Sequence, residues 1–424
     1  MIQFLLKGLL RDRHRSLMPL IVVTVGVMLM VFFQSWISGI MSDSIEFNAQ
    51  FTTGHVKVMT NAYADHIDQM PNDLALLGTD SVLHWLKNKF PDMEWAERIH
   101  FAGLIDVPDS SGETRAQGTV AGFGIDLLSG NHREAERMHI SRSMRKGRLP
   151  EKAGEVLLSN ALADHLLLIP GDTVSLISST MYGEMAIYNF ILAGTVEFGV
   201  AAMDRGTIIA DIRDVRKALN MEDATGELLG FFKRGYYDHD LAAKTAAEFN
   251  HYFSKTNDKF SPVMKSLKEQ SGMGALVDYT ERMLWILIFV FLMAMSIVLW
   301  NAGLLGGLRR YGEFGMRLAI GESKGHIYET LIYESLLVGF IGSVAGTLVG
   351  LGIAWYLQKH GLYLGNIMQN AAIMMPETFR ARITPVTWYI GFIPGVISKL
   401  TGTLLSGIGI YRRQTAQLIK ELEA

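Results

Sequence analysis

Four long apolar runs lie along the chain, one near the N-terminus and three in the last third. Leu17–Ile40, Met283–Leu308 and Ser335–Gln358 carry no charged residue, and Ile383–Tyr411 contains only Lys399. A helix of about 20 apolar residues crosses a hydrocarbon core of about 30 Å. The pattern therefore predicts four transmembrane helices, with a large segment of different character between the first and the second.

Basic residues near the spans predict the orientation, because they concentrate on the cytoplasmic side. The basic residues that flank the spans are Lys7, Arg11, Arg13 and Arg15, then Arg309, Arg310, Arg317 and Lys324, and finally Arg412, Arg413 and Lys420. These three groups fall on one side if the chain crosses four times, which predicts that both termini are cytoplasmic. The excess of basic residues on the cytoplasmic side is incomplete, since the loop predicted to lie outside carries Lys359, Arg380 and Arg382.

This topology divides the chain into nine segments. They are a cytoplasmic amphipathic elbow at 1–16, the first span at 17–41, an outer domain at 42–278, the second span with its stalk at 279–308, a cytoplasmic loop at 309–327, the third span at 328–358, an outer loop at 359–383, the fourth span at 384–411 and a cytoplasmic tail at 412–424. The first run is longer than the apolar region of a signal peptide and no small-x-small site closes it. We therefore expect a retained anchor in a multi-pass membrane protein.

The segment 42–278 alternates polar and apolar residues between turns, as half-buried strands do. Predicted strands are Thr53–Met59, Ala116–Phe123, Glu155–Leu158, Thr173–Ile177, Ala186–Glu197 and Arg205–Ala210. Predicted helices are Asp80–Lys89, Ser159–Leu168, Asp211–Leu219 and Asp240–Phe253. The expected fold is a membrane α-helical protein with a large α+β domain between its first two spans.

Composition excludes several classes of function. Hydrophobic residues make up 49% and charged residues 19% of the 424, as in proteins with both membrane and soluble parts. A net charge of -3 argues against a nucleic-acid partner, which needs a basic surface. The absence of Cys excludes disulfides, thiolate metal ligands and Cys nucleophiles.

Candidate catalytic chemistry is sparse. Tyr236–Asp240 and Asp65–Asp68 contain Asp and His that suit a metal, but a solvated turn is favoured for both, with Asp240 as the N-cap of the next helix. H-E-x-x-H, G-x-S-x-G and P-loop sequences are absent. We expect a non-catalytic chain with no cofactor, metal or nucleotide of its own.

The cytoplasmic loop contains a predicted short helix. Phe314, Met316, Arg317 and Ile320 recur at helical spacing, and Gly321 supplies a stop. Such a helix would present an apolar ridge to the groove of a partner protein. A plain basic membrane anchor explains the same residues equally well.

The same loop carries a family resemblance. Arg310, Glu313, Phe314, Gly315, Ala319 and Gly321 resemble the R-x-x-E-[IF]-G-x-x-[RK]-A-x-G pattern of the FtsX/MacB/Lol-type ABC transporter permeases. In the outer domain, the stretches similar to MacB-like periplasmic core domains are Gly147–Pro150, Glu155–Ser159, Leu162–Ala163 and Pro170–Asp172. Gly54–Val58 is similar to the segment that follows the first span in the lipoprotein-releasing branch, LolC and LolE.

The resemblance implies an assembly and a mechanism. Two permease chains, identical or paralogous, would bind two copies of a cytoplasmic ABC ATPase, which would hold ATP and Mg. The residues expected to couple to that ATPase are Arg310, Glu313, Phe314, Gly315, Met316, Arg317, Ala319 and Gly321. ATP-driven closure would move this helix and thereby the outer domains, which is mechanotransmission.

Three functions follow from this family, and the sequence leaves them open. Lipoprotein release from the inner membrane is preferred, with a periplasmic carrier protein and membrane lipid as further partners. The alternatives are MacB-like efflux of a peptide, drug or toxin from the periplasm with an adaptor protein, and FtsX-like signalling to a cell-wall hydrolase.

Two features of the predicted spans concern packing. Gly342, Gly346 and Gly350 form a stripe of small residues that allows close helix approach, either within one chain, which is slightly favoured, or between two chains. Lys399 falls near the middle of the fourth span, where a charge costs about 3 kcal/mol by insertion scales. We expect it to pair, with Glu334 as the candidate partner, or to face a wet cavity.

Overall fold

The computed structural model describes residues 13–109, 111–130, 133–199, 201–253, 258–270, 272–308, 311–363 and 378–412. The described residues form two units. The helical unit contains residues 13–41, 279–363 and 378–412, and the α+β unit contains residues 42–278. Most of the predicted elbow, the middle of the loop 359–383 and nearly all of the C-terminal tail lie outside the described residues.

The described residues form both α-helices and β-strands. The α-helices are α1 Arg13–Asn48, α2 Asn61–Asp65, α3 Thr79–Lys89, α4 Arg133–Arg137, α5 Ile140–Ser143, α6 Asn160–His165, α7 Ala201–Asp204, α8 Ile212–Ala218, α9 His239–Phe253, α10 Met273–Leu308, α11 Tyr311–Ala319, α12 Lys324–His360 and α13 Lys399–Arg412. The strands are β1 Val56–Thr60, β2 Leu76–Leu77, β3 Met93–Pro108, β4 Thr114–Ile125, β5 Met144–Gly147, β6 Glu155–Ser159, β7 Thr173–Ser179, β8 Met185–Val196, β9 Thr207–Asp211, β10 Ala224–Thr225, β11 Glu227–Phe232, β12 Pro262–Ser266, β13 Leu362–Tyr363 and β14 Thr378–Phe379.

Three helices in the described part of the chain are long and apolar enough to cross a membrane. These segments are Leu17–Thr53, Val277–Val298 and Lys324–His360. They lie in α1, α10 and α12 and confirm that the first three predicted runs are long helices. Each helix extends beyond the run that predicted it, because the flanking polar residues continue the same backbone conformation.

The fourth predicted span is not one uninterrupted α-helix. A 3₁₀ turn at Pro385–Trp388 is followed by a π-helical segment at Ile393–Ser398, which continues directly into α13. Pro394 lacks a backbone N–H and therefore cannot donate a helical hydrogen bond at this point. Because the π-helical and α-helical parts are consecutive, residues 393–412 are helical throughout, but the count of four spans stays a prediction.

The α+β unit is built around a closed six-stranded barrel. Strand β3 pairs with β4, followed in order by β9, β6, β8 and β7, and β7 pairs back with β3. The β4/β9 and β6/β8 pairs are parallel and the others are antiparallel. Alternate residues of these strands fill the interior, including Phe101, Ile105, Leu176, Phe190 and Ile208.

The N-terminal half of β3 leaves the barrel and joins a second, antiparallel layer in the order β12-β1-β11-β3. Helices α3 and α9 cover one face of this layer. Ala242, Ala246 and Phe249 follow at helical spacing along α9, and all three are buried against it. Strand β3 therefore belongs to both layers.

All ten predicted elements of the outer domain are confirmed with shifts of a few residues at their ends. One capping prediction is wrong. The backbone N–H of Leu241 donates to Asp238 Oδ1 at 3.1 Å, so Asp238 is the N-cap of α9 and Asp240 lies within its first turn. The strands that the sequence pattern missed are β3, β11 and β12, together with the short strands outside the two main layers.

Candidate functional site: the inner helix and the junction

Helix α11 ends as the sequence predicts. The N–H of Glu322 donates to the carbonyl of Arg317, and the N–H of Gly321 donates to that of Leu318, both at 3.1 Å. Gly321 has a φ of +98°, so this is a Schellman motif that uses the conformational freedom of glycine. Ser323 then caps α12 by accepting the N–H of His326. The motif fixes where the short helix stops and the long one begins.

The side chains of α11 divide between two faces. Phe314 is 1% exposed and packs against Ile327 and Leu331 of α12. On the other face, Met316 is 54% and Ile320 is 86% exposed. The helix is thus fixed to α12 by Phe314 and presents an apolar surface outward.

The other residues predicted to couple to the ATPase lie next to these two faces of α11 or outside the described residues. Glu313 Oε1 accepts from Arg317 Nη2 at 3.1 Å, one helical turn apart. Gly315 is buried, and Ala319 is exposed beside the Met316 and Ile320 surface. Arg310 lies outside the described residues.

The glycine stripe of α12 packs against α1 of the same chain. A Cβ atom at Gly342 would lie 2.7 Å from Val23, and one at Gly346 or Gly350 would lie 2.8 Å from Val27 or Val31 respectively. Both rows repeat every four residues, so the valine ridge of α1 fits the glycine groove of α12. This is the packing within one chain that the sequence slightly favoured.

Lys399 is buried at the first residue of α13. The residue is only 6% exposed. Thr403 donates to the Lys399 carbonyl at 3.0 Å, and Tyr328 donates to the Leu404 carbonyl at 3.3 Å, which connects α13 to α12. The pairing of Lys399 with Glu334 stays a prediction.

A second site, which sequence analysis missed, lies at the start of the α+β unit. We call it the junction and define it as the π-helical turn Ala49–Thr53 that ends α1, together with Gly54, His55, Arg98 and Val277. Gly54 has a φ of +62° and donates to the carbonyl of Ala49 at 2.8 Å, which stops the helix. Ala49 and Val277 are both buried in one cluster with Leu267, so α1 and the first turns of α10 meet there.

Arg98 is the centre of the junction. It is fully buried, and its Nη1 and Nη2 donate to the carbonyls of Phe51 and Gln50 at 2.7 and 2.6 Å. Its Nε donates to Glu134 Oε2 at 3.0 Å, and Arg137 also contacts Glu134. A cation at the C-terminal end of a helix satisfies free carbonyls and matches the helix dipole. Arg98 therefore holds the end of the first long helix to β3.

His55 makes a second connection from the same segment. The backbone N–H of Phe232 donates to His55 Nδ1 at 2.9 Å, so this nitrogen carries no proton. His55 Nε2 then donates to Glu46 Oε2 at 2.8 Å. The ring is 1% exposed and joins α1 to β11. This contact gives a physical reason for the Gly54-His55 sequence that resembles the lipoprotein-releasing branch.

A buried ion pair lies behind the junction. Lys57 Nζ on β1 lies 2.8 Å from Glu227 Oε2 on β11, and Tyr63 donates to Glu227 Oε1 at 3.3 Å. Burial alone would raise the pKa of Glu227, but Lys57 and His100 outweigh it and hold the pKa at about 2. The carboxylate is therefore charged at neutral pH and fixes the register of β1 against β11.

The two MacB-like motifs of the barrel bind each other. Arg148 donates from Nη1 and Nη2 to the two oxygens of Glu155, at 2.8 and 2.6 Å. The hydrogen bonds from Arg148, with the N–H groups of Glu151 and Lys152, lower the pKa of Glu155 to about 2. These two residues thus form a bidentate structural contact.

Candidate metal ligands do not cluster in the part of the chain that the structure describes. No group of three or more His, Cys, Asp or Glu there is placed to hold a metal ion. Tyr237 and His239 contact each other through Oη and Nδ1 at 3.2 Å, as in a solvated turn.

Comparison with known proteins agrees with the resemblance in the sequence. Residues 285–415 match the FtsX-like permease C-terminal family. Lipoprotein-releasing system transmembrane protein LolC from two strains of Xylella fastidiosa, Temecula1 and 9a5c, is 25% identical over 220 residues, which is 49% of this chain and 50% of each relative. The chain thus spans about half the length of the curated relatives it matches.

A solved structure is also similar to part of the chain. The periplasmic region of MacB from Actinobacillus actinomycetemcomitans aligns with 55% of this chain and 95% of its own length, at a TM-score of 0.36 and 11% identity.

Proposed function

The chain belongs to the FtsX/MacB-like ABC transporter permeases, on the LolC-like branch, and on that premise we propose that it is a mechanotransmitting membrane subunit. A separate cytoplasmic ATPase would hydrolyse ATP, and two such ATPases would bind two permease chains, identical or paralogous. The observation that carries this proposal is α11, fixed to α12 by Phe314 and exposing Met316 and Ile320. The region that matches the family contains this helix.

The path of motion follows from helix continuity. Helix α10 contains 36 residues, and at about 1.5 Å per residue it extends for about 54 Å. It begins at the junction, where Val277 packs with Ala49, and ends three residues before α11. A push on α11 by closing ATPases would therefore be carried along α10 to the residues that hold α1 to β3.

The topology that suits this path has four crossings. Both termini and α11 would be cytoplasmic, and the α+β unit would lie in the periplasm. The fourth crossing would use the consecutive helical residues 393–412, which are 20 in number and close to the length that a bilayer needs. The basic residues that flank the spans support this orientation.

Release of lipoproteins from the inner membrane is the cargo function that we propose. It is supported by the similarity to LolC and by the contacts of Gly54 and His55, which give the LolC-like segment a role at the junction. A periplasmic carrier protein would accept the lipoprotein, and membrane lipid would surround the spans.

Co-purification tests the subunit proposal. A soluble ATPase should co-purify with the wild-type chain in detergent, and Met316→Asp and Ile320→Asp should each reduce its recovery at least about tenfold, because a charge would enter an apolar interface. Glu329→Ala, at an exposed position of α12, is the matched control and should retain the ATPase. Full recovery of the ATPase with both Asp variants would mean that α11 is only a membrane anchor and would contradict the proposal.

Photo-crosslinking from the stalk residue Tyr279, which is 63% exposed, tests the cargo. Lipoprotein adducts that disappear when ATP is depleted would support release. Adducts with a soluble periplasmic adaptor and none with lipoprotein would replace this function with MacB-like efflux.

A further inference from the structure

The loop after the third span carries cations that the predicted topology does not explain. Lys359, Arg380 and Arg382 belong to the segment predicted to lie outside, although basic residues concentrate on the cytoplasmic side. Lys359 lies in the last turn of α12, where a cation matches the helix dipole. Arg380 and Arg382 follow β14 and lie at no helix C-terminus. The helix dipole therefore accounts for the lysine and leaves both arginines without an explanation.

The fold brings these cations to one end of the helical unit. Gly361, with a φ of +67°, ends helix α12, and β13 then pairs antiparallel with β14. A Cβ atom at Gly361 would lie 3.3 Å from Cγ of Arg380. The backbone N–H of Arg382 donates to the Ser35 carbonyl of α1 at 2.9 Å. Arg380 and Lys359, which are 21 positions apart in the sequence, thus both lie at the end of α12.

Acidic residues are absent from the two segments that meet at this end. Residues 355–363 and 378–390 contain no Asp or Glu, and their basic residues are Lys359, His360, Arg380 and Arg382. Lys359, His360 and Arg380 are exposed, and Arg382 is partly exposed. The two segments therefore carry only positive charge, which favours an anionic ligand.

Exposed aromatic residues occur in the same two segments. Trp355, Tyr356, Trp388 and Tyr389 are each more than half exposed. Lys359 Nζ lies 5.7 Å from the centroid of the Trp355 ring, which is within the range of a cation–π contact. Trp and Tyr concentrate at the level of the lipid headgroups, because each combines an apolar ring with a polar N–H or O–H group. The aromatic residues thus indicate that the cations lie at headgroup depth.

We propose that Lys359, Arg380 and Arg382 bind the phosphate group of an anionic phospholipid. The guanidinium groups offer several N–H donors in a geometry that suits phosphate oxygens, and the ammonium group adds a compact charge. The aromatic residues favour a lipid over a free anion, since a soluble phosphate ion gains nothing from side chains that partition to the bilayer interface. That this lipid lies in the outer leaflet rests on the proposed topology, whereas the binding itself does not.

Photo-crosslinking of the full-length chain in detergent tests the site. The probe is a phosphatidylglycerol with a photoactivatable group next to its headgroup, and peptide mapping by mass spectrometry locates the adducts. We expect adducts in residues 355–363 and 378–390. Unlabelled phosphatidylglycerol should suppress them at a concentration at least about tenfold lower than phosphatidylcholine with the same acyl chains, a difference of 1.4 kcal/mol.

Charge variants identify the groups that bind. Lys359→Gln/Arg380→Gln should reduce the adducts at least about tenfold, because each cation near an anionic headgroup contributes about fivefold. Lys359→Arg/Arg380→Lys keeps both charges and should retain the adducts, which separates loss of charge from loss of folding. The matched control is Lys152→Gln/Lys217→Gln, which removes two exposed cations from the α+β unit and should behave as wild type does.

Three results would overturn the proposal. Equal suppression by phosphatidylglycerol and phosphatidylcholine would mean that these residues only anchor the chain at any lipid interface. Undiminished adducts in Lys359→Gln/Arg380→Gln would exclude the two cations as the binding groups. Suppression by inorganic phosphate at the concentration that suffices for phosphatidylglycerol would replace the lipid with a soluble anion. None of these results depends on co-purification of an ATPase, so this proposal and the subunit proposal fail separately.

Discussion

Replacement of Arg98 by Met removes the residue that holds α1 to β3 and keeps a side chain of similar length. The change eliminates two charge-assisted hydrogen bonds to the carbonyls of Gln50 and Phe51, each worth about 1.5–3 kcal/mol. It also removes one partner of Glu134, although Arg137 remains. The sum is consistent with the cost of breaking a buried pair, about 3–5 kcal/mol.

Hydrogen exchange of the full-length chain in nanodiscs measures this loss locally. A loss of about 3 kcal/mol would accelerate exchange through local opening of the turn Ala49–Thr53 by about 100-fold, since 1.36 kcal/mol corresponds to tenfold. The matched control is Arg115→Met. Arg115 also donates to a backbone carbonyl, that of Leu166 at 3.2 Å, but is exposed, and its loss should change exchange by less than about threefold.

The pattern of exchange decides whether the reasoning holds. Acceleration confined to the end of α1 would agree with a connection that is specific to the junction. Equal acceleration in the barrel strand β6 would mean that Arg98 only supports the whole unit. Unchanged exchange in Ala49–Thr53 would refute the assigned role of the guanidinium.

Three further changes test other parts of the structure. Gly346→Leu should destabilise the chain by about 1–3 kcal/mol in thermal unfolding because it overpacks the contact with α1, whereas Gly352→Leu, which faces open space, should not. Glu227→Gln should cost about 3–5 kcal/mol by leaving a buried ammonium unpaired. Because the pKa of Glu227 in the folded protein is about 2, its carboxylate contributes fully to the free energy of unfolding above the pKa of the unfolded state. This contribution is lost as the pH falls toward 2. Urea unfolding between these pH values should show the loss in wild type and not in Glu227→Gln. Lys399→Met and Glu334→Gln should show a coupling energy of about 0.5–3 kcal/mol in a double-mutant cycle, and strict additivity would mean that the two groups do not interact.

Much of the fold follows from local pattern. The first three apolar runs form long helices, as their length predicts, and the Gly321 stop of α11 depends on residues within one turn. Burial alternates along most of β7 and the first part of β8, because one face lines the barrel and the other meets solvent. In these elements local preference and tertiary environment agree, so the sequence is sufficient.

The miss of strand β3 has a physical cause, which is burial of charge. Strand β3 contains Glu94, Glu97, Arg98, His100 and Asp106, which read as a solvated segment. Among the described residues Arg98 is nevertheless the largest fully buried side chain, because carbonyls at the end of a helix and a glutamate from another helix surround it. Those partners lie 36 to 48 residues away along the chain, so no local sequence pattern indicates them.

The inner helix was predicted in position but only partly in orientation. The spacing of Phe314, Met316 and Ile320 suggested one continuous apolar ridge. The structure turns Phe314 inward onto α12 and leaves Met316 and Ile320 exposed. The sequence alone does not show which apolar residues of a helix pack within the chain and which face a partner, because this depends on where the neighbouring helix lies.

Accessibility labelling of two single-cysteine variants tests the central claim most directly, because the chain contains no cysteine of its own. Met185→Cys lies in the barrel, where Met185 is 74% exposed, and Ile320→Cys lies on the outward face of α11. A membrane-impermeant maleimide should label Met185→Cys in intact spheroplasts and Ile320→Cys only after the membrane is opened. Labelling of both variants from the same side would contradict transmission across the bilayer.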